Sequence, residues 1–93
     1  MKTRILAIAP YQGLKEMINE AVSNRDDLEI TVRVGDLANG LEIVRSYDLD
    51  DFDIIISRGG TAKMISSNVA LPVVEVDISV YDILRAIKLA ENY

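Results

Sequence analysis

Cysteine and histidine are both absent from this sequence. Without them there is no disulfide, no thiolate nucleophile and no Ser-His-Asp triad, and nearly every zinc site is excluded. What remains is the chemistry of carboxylates, hydroxyls, amines, guanidinium groups and the backbone. Basic runs are lacking as well: the ten lysines and arginines are scattered, and fifteen acidic residues leave a net charge of −5. Nucleic acid is held by a concentrated positive stripe, so direct contact of this segment with DNA or RNA is not expected. Long hydrophobic runs are missing too. After Met1-Lys2-Thr3-Arg4 the apolar residues extend only from Ile5 to Ala9 before Pro10, which is short of a signal h-region or of the roughly 20 residues that span a bilayer. The expectation is a soluble cytoplasmic domain with no membrane partner, no metal and no cofactor.

What is present is apolar content. Hydrophobic residues make up 49% of 93 positions, enough for one domain around one core, although a chain this short buries only roughly 60 to 65% of its unfolded surface. The pattern along the chain is regular. Residues 4 to 9 are almost continuously apolar, as in a strand covered on both faces of a parallel sheet. Leu14, Met17, Ile18, Ala21 and Val22 then fall on one helical stripe. From Leu28 to Val34 apolar residues alternate with Glu29, Thr31 and Arg33, which predicts an edge strand with one polar face. Asp36 is placed as the N-cap of a second helix that turns Leu37, Leu41, Val44 and Tyr47 inward, and Gly40 inside that helix requires either a close neighbour or a loose turn. An acidic connection over residues 47 to 51 leads to a third strand at residues 53 to 57. After Arg58-Gly59-Gly60 come a short helix, Pro72 and a fourth strand at residues 73 to 76. Ser79 and Asp82 form a capping box for a last helix with Val80, Ile83, Leu84 and Ile87 inward.

Four repeats of strand then helix, with short connections, predict an α/β lobe over residues 1–93. Right-handed crossovers give an open parallel four-stranded sheet, and the central character of the first and third strands selects the flavodoxin-like order 2-1-3-4 with helices on both faces. That order leaves the fourth strand at an open edge, where a fifth strand from later sequence or a second chain is expected to cover it.

Ligands of such sheets bind outside the carboxyl ends of the strands, at the switch point between the first and third. The residues delivered there are Pro10, Tyr11 and Gly13, then Gly35 and Asp36, then Ser57, Arg58, Gly59, Gly60 and Thr61, and finally Asp77 to Tyr81. The glycine pair gives a ligand close access to a helix N-terminus, Thr61 adds a hydroxyl, and Arg58 adds a fork of donors suited to a carboxylate or phosphate. Lys63 is a second cation nearby. Tyr11 reads equally as a ring packed over the sheet end or as a wall of a binding site. Asp36 reads first as a helix cap. Glu75 and Asp77 need a partner, water or an exposed edge, and Arg58 is one such partner. A phosphoacceptor receiver would require an acidic pair where Ala9-Pro10 stands and an aspartate at Ser57. The Walker lysine and the spaced dinucleotide glycines are missing. A catalytic role is not expected.

Ile8-Ala9-Pro10-Tyr11-Gln12-Gly13-Leu14, Val34-Gly35-Asp36-Leu37, Ile55-Ile56-Ser57-Arg58-Gly59-Gly60-Thr61-Ala62, Val73-Val74-Glu75-Val76 and Tyr81-Asp82-Ile83-Leu84-Arg85-Ala86 together resemble the N-terminal sensor domain of the propionate catabolism activators and related sigma-54-dependent transcriptional regulators. The resemblance implies that the chain corresponds to the first half of a two-lobe sensor, followed by a second α/β lobe, an ATPase and a DNA-binding domain. It also implies a small effector between the lobes, 2-methylcitrate in the propionate-responsive members. On that reading the effector, a small anion such as a carboxylate, meets Pro10, Tyr11, Gly13, Ser57, Arg58, Gly59, Gly60, Thr61, Asp77 and Tyr81. The competing expectation is a non-catalytic dimerisation or interaction module without a ligand of its own.

Overall fold

The computed structural model describes residues 2–76, 85, 87–89 and 91. The elements run β1 (Thr3–Ala9), α1 (Gln12–Val22), β2 (Leu28–Val34), α2 (Leu37–Arg45), a 3-10 turn (Leu49–Asp51), β3 (Ile54–Ser57), α3 (Gly59–Ser66) and β4 (Val73–Glu75). All strand pairs are parallel and the sheet order is β2-β1-β3-β4, so the chain has the flavodoxin-like α/β fold expected from its pattern. The capping box at Ser79 and Asp82 lies outside the described residues, as do Val80, Ile83 and Leu84.

The continuous apolar runs became the two central strands because each of their faces is covered. Ile5 to Ala9 and Ile54 to Ile56 are buried. On one face Ile5, Ala7, Ala9, Ile54 and Ile56 pack with Leu14, Ile18 and Val22 of α1 and with Ile87. On the other, Leu6, Ile8 and Ile55 pack with Leu41 and Val44 of α2 and Ile65 of α3. β2 turns Leu28, Ile30 and Val32 to the α1 side, while Val34 at its end is exposed, and all seven of its residues are in register against β1 from Thr3↔Leu28 to Ala9↔Val34.

The amino end of the sheet is closed by an ion pair. Arg4 Nη2 lies 3.1 Å from Asp53 Oδ1, the Arg4 backbone N–H donates to Asp53 Oδ2 at 2.8 Å, and the Asp53 N–H donates to the Arg4 carbonyl at 2.8 Å. These bonds tie the loop before β3 to the start of β1, and the Arg4 guanidinium holds the Asp53 carboxyl below its ordinary value. A second cluster joins Arg25 to Asp27 at 2.6 Å and to Glu91 at 2.7 Å, and the Arg25 hydrogen bonds pull Asp27 down to about 2.

Three details depart from the sequence reading. Leu37, expected in the core, is 48% exposed and adopts φ 47°; as the first residue of α2 it lies against Gly60 at the start of α3 and joins neither core cluster. The acidic connection contains a 3-10 turn, started by Asp48 Oδ1 accepting the Asp50 N–H at 3.0 Å. β4 has three residues, half-buried at Val73 and Val74 and exposed at Glu75. Tyr47 does turn inward, and its ring meets Phe52 edge-on at 5.7 Å.

Gly40 is the close-neighbour case. A Cβ there would stand 2.8 Å from Thr61 Cγ2, 3.0 Å from the Gly35 carbonyl oxygen and 3.2 Å from Ile8 Cγ2. The carbonyl is backbone and has little room to yield. Gly40→Ala is therefore expected to lower stability by about 1–2 kcal/mol in urea unfolding, overpacking outweighing the better helix propensity of alanine; an unchanged midpoint would mean that α2 can back away from α3.

Asp53 and Asp27 give stability a defined acid limb. Both carboxyls have folded values below the unfolded value of about 3.9, so their contribution is complete above that pH and is lost as pH falls through the folded values. The urea midpoint is expected to be flat above about pH 5 and to fall between about pH 4 and 2, less steeply in the Asp27→Asn/Asp53→Asn double variant.

Candidate functional site

The carboxyl ends of β1 and β3 deliver Pro10-Tyr11 and Arg58-Gly59-Gly60 to neighbouring positions, because those strands are paired in the centre of the sheet. Between their loops lies a crevice of about 320 Å³ lined by Pro10, Asp36, Arg58, Gly59, Gly60, Thr61 and Glu75. Five of these seven are residues that the sequence singled out for ligand contact. Asp36 and Glu75 complete the lining, since the loop after β2 and the end of β4 reach the same opening.

Gly59 opens α3 with φ +56°, a conformation that a side chain would strain. Gly60 has a different reason: a Cβ there would stand 3.2 Å from Leu37 Cδ2, so the exposed leucine rests on this glycine. The first helical bond of α3 runs from the Ala62 N–H to the Arg58 carbonyl at 3.2 Å, and no side chain caps the helix. The N–H groups of Gly59, Gly60 and Thr61 precede that bond and have no partner among the described residues.

Arg58 occupies the N-cap position and extends over Tyr11. Its Nη1 donates to the Tyr11 hydroxyl at 3.2 Å, and its guanidinium carbon is 6.0 Å from the ring centroid, the outer limit of a cation–π contact. No described carboxylate lies within ion-pairing distance of Arg58, Glu75 included. Tyr11 is 39% exposed and, like Gly13, is not among the residues that line the crevice; Gly13 lies beneath its ring, where a Cβ would touch Tyr11 Cε2 at 3.4 Å.

Two candidates face elsewhere. Ser57 is wholly buried and its hydroxyl donates to the Ile8 carbonyl at 2.7 Å, tying β3 to β1 beneath the crevice. Lys63 lines a separate hollow of about 400 Å³ beside β4, with Ala62, Ser66, Ser67, Val73 and Glu75. Asp77 and Tyr81 lie outside the described residues.

Asp36 sits at the start of α2, but its side chain makes no capping bond to that helix. The cap comes from α3 instead. Thr61 Oγ1 accepts the Leu37 N–H at 2.9 Å and donates its own proton to Asp36 Oδ1 at 2.7 Å. The Thr61 hydroxyl is thus committed within the chain. Local pattern carries no sign of this clasp, because its members are 24 and 25 positions apart.

The site therefore combines one guanidinium and three backbone N–H groups, the former without a carboxylate partner and the latter without any partner among the described residues, with two carboxylates lining the same crevice. These groups lie at the carboxyl ends of the strands of a doubly wound α/β lobe, where ligands of such sheets bind, and among the described residues no group of acids is able to hold a metal. The chain matches the propionate catabolism activator family over residues 24–93, well over half its length, and belongs to that family as an N-terminal regulatory domain. The matched region contains Asp36, Arg58 to Thr61 and Glu75, and leaves Pro10 and Tyr11 outside it. No curated protein and no solved structure matches the chain. Among the described residues no helix is long and apolar enough to cross a membrane.

Thr61→Val preserves shape and removes both bonds of the clasp. It is expected to cost about 1–2 kcal/mol in urea unfolding and to speed amide exchange at Leu37, whereas Thr61→Ser should retain most of the stability. Equal stability of the valine variant would mean that water replaces the hydroxyl at both partners.

Proposed function

We propose that the domain is the effector-sensing lobe of a sigma-54-dependent regulator, binding a small carboxylate at the carboxyl ends of β1 and β3 without catalysis. The observation that carries this reading is Arg58, a guanidinium with no described carboxylate partner beside the open N–H groups of Gly59, Gly60 and Thr61. A carboxylate would take two parallel bonds from the Arg58 fork and further bonds from the α3 N-terminus. Asp36 and Glu75, which line the same crevice, would accept hydrogen bonds from hydroxyls of the effector and disfavour anions without any.

The crevice is open on its outer side, and a second α/β lobe would close it. Closure around the effector would favour one arrangement of the two lobes, and only that difference in affinity can change the restraint on a downstream ATPase. Tyr11 would then act as a movable wall, since Arg58 gives up its hydroxyl bond to reach the ligand. An interaction module with no ligand is the competing reading, favoured by the open edges of the sheet.

Calorimetry with mono-, di- and tricarboxylates tests the proposal. Arg58→Ala is expected to weaken carboxylate binding about 10- to 100-fold, the loss of one or two charge-assisted hydrogen bonds. Tyr11→Phe should change affinity by less than about threefold, because the ring contact survives. Affinity unchanged in Arg58→Ala would remove Arg58 from the site, and no heat with any carboxylate would favour the interaction module.

A further inference from the structure

The longest open edge of the sheet is β2. Its seven residues pair with β1 on one side, and no described strand pairs with the other. β4, at the opposite edge, has three residues and an exposed glutamate, the short and charged form in which edges are usually blunted. β2 has neither bulge nor proline, and its register with β1 is unbroken.

The direction of its backbone groups follows from the ladder. The Thr3 N–H donates to the Asp27 carbonyl and the Gly35 N–H to the Ala9 carbonyl. With the register Thr3↔Leu28 to Ala9↔Val34, Glu29, Thr31 and Arg33 direct their N–H and C=O groups at β1. Leu28, Ile30, Val32 and Val34 direct theirs outward, to the free edge.

We propose that this edge pairs antiparallel with β2 of a second copy of the chain, about a two-fold axis perpendicular to the sheet at Thr31. That register opposes Ile30 to Val32 and Leu28 to Val34 of the partner, so that every outward N–H and C=O of the strand finds its complement, about eight hydrogen bonds in all. The intervening residues become the closely spaced, non-hydrogen-bonded pairs. There Glu29 faces Arg33, Arg33 faces Glu29 and Thr31 faces itself, and opposite-charge and Thr–Thr pairs are among those that favour strand pairing. Because the axis is perpendicular to the sheet, both members of each pair lie on the α2 face.

The self-complementarity selects the register. Moving the axis to Ile30 or Val32 keeps the hydrogen-bonding parity but sets Glu29 or Arg33 against Thr31. Arg33 is already steered along the strand, since its Nη1 donates to Tyr47 Oη at 2.9 Å and its guanidinium lies 6.0 Å from that ring; donors on the remaining fork are left for Glu29. The interface is isologous and closes at two copies, giving one eight-stranded sheet with the two crevices at opposite ends. It is independent of the effector reading.

The lack of cysteine makes the test direct. Sedimentation of the 93-residue chain from micromolar to millimolar concentration is expected to show a monomer–dimer equilibrium. Glu29→Arg should weaken it about tenfold or more by placing like charges opposite each other twice, and the Glu29→Arg/Arg33→Glu swap should restore it to within about threefold. Under mild oxidation Thr31→Cys should cross-link into a dimer, since non-hydrogen-bonded partners stand about 4.5 Å apart at Cα, whereas Val73→Cys on β4 should not. Urea unfolding of each variant separates lost association from lost folding. A monomer at every concentration, an association indifferent to Glu29→Arg, or cross-linking that favours Val73→Cys overturns the proposal.

Discussion

The hydroxyl of Thr61 joins two helices that the sheet alone would leave independent. It accepts the Leu37 N–H at the start of α2 and donates to Asp36, while its methyl group fills the place where a side chain on Gly40 would otherwise lie. Three consequences follow from this one contact. The first N–H of α2, that of Leu37, is satisfied without a cap from Asp36, α2 approaches α3 at the distance only glycine allows, and Asp36 is held at the lining of the crevice. Leu37 is drawn into a left-handed backbone conformation that costs a non-glycine residue of order 1–3 kcal/mol. Such strain persists only where the surroundings over-determine the position, and here the hydrogen bond from its N–H and the seat on Gly60 supply that determination.

The fold was legible because its signals are local and repeated. Two-sided apolar runs marked β1 and β3 as central, and the alternation of β2 marked it as an edge, which together fixed the strand order. Arg58 to Thr61 could be placed at the switch point once that order was known, and the carboxyl-end rule then brought Pro10 beside them. What escaped was non-local. Nothing in the spacing of Asp36, Leu37 and Thr61 indicates that a hydroxyl from α3 would cap α2, and the i, i+4 relation of Leu37 to Leu41 pointed inward because periodicity does not register where the sheet stops. The apparent polarity of Ser57 misled in the same way. At the last position of a buried strand its hydroxyl has a carbonyl of β1 within reach, and it is used there.

The two carboxylates of the crevice bear on how selective an anion site around Arg58 can be. In an acidic chain, a guanidinium near Glu75 would ordinarily be neutralised by it, yet among the described contacts Arg58 engages a phenol hydroxyl and no carboxylate. A phenol hydroxyl brings no opposite charge and takes one bond from the fork where a carboxylate takes two, so the positive charge is left uncompensated and easily redirected. Tyr11 therefore holds Arg58 in place without competing for it. Gly13 supports this arrangement from below, giving the ring a flat seat close to the first turn of α1.

The same economy of contacts distinguishes the two edges of the sheet. At β4 the strand is short and ends in Glu75, whose carboxylate belongs to the crevice and keeps that edge in water. At β2 the polar residues lie on one face only, in the order acid, hydroxyl, base, and a strand that reads Glu-x-Thr-x-Arg is complementary to its own reverse. A sequence of that kind can blunt an edge toward foreign strands, which would meet an unmatched charge at one end, while leaving it open to its own copy. Charge on an edge strand is usually protective; here its placement determines which partner is excluded.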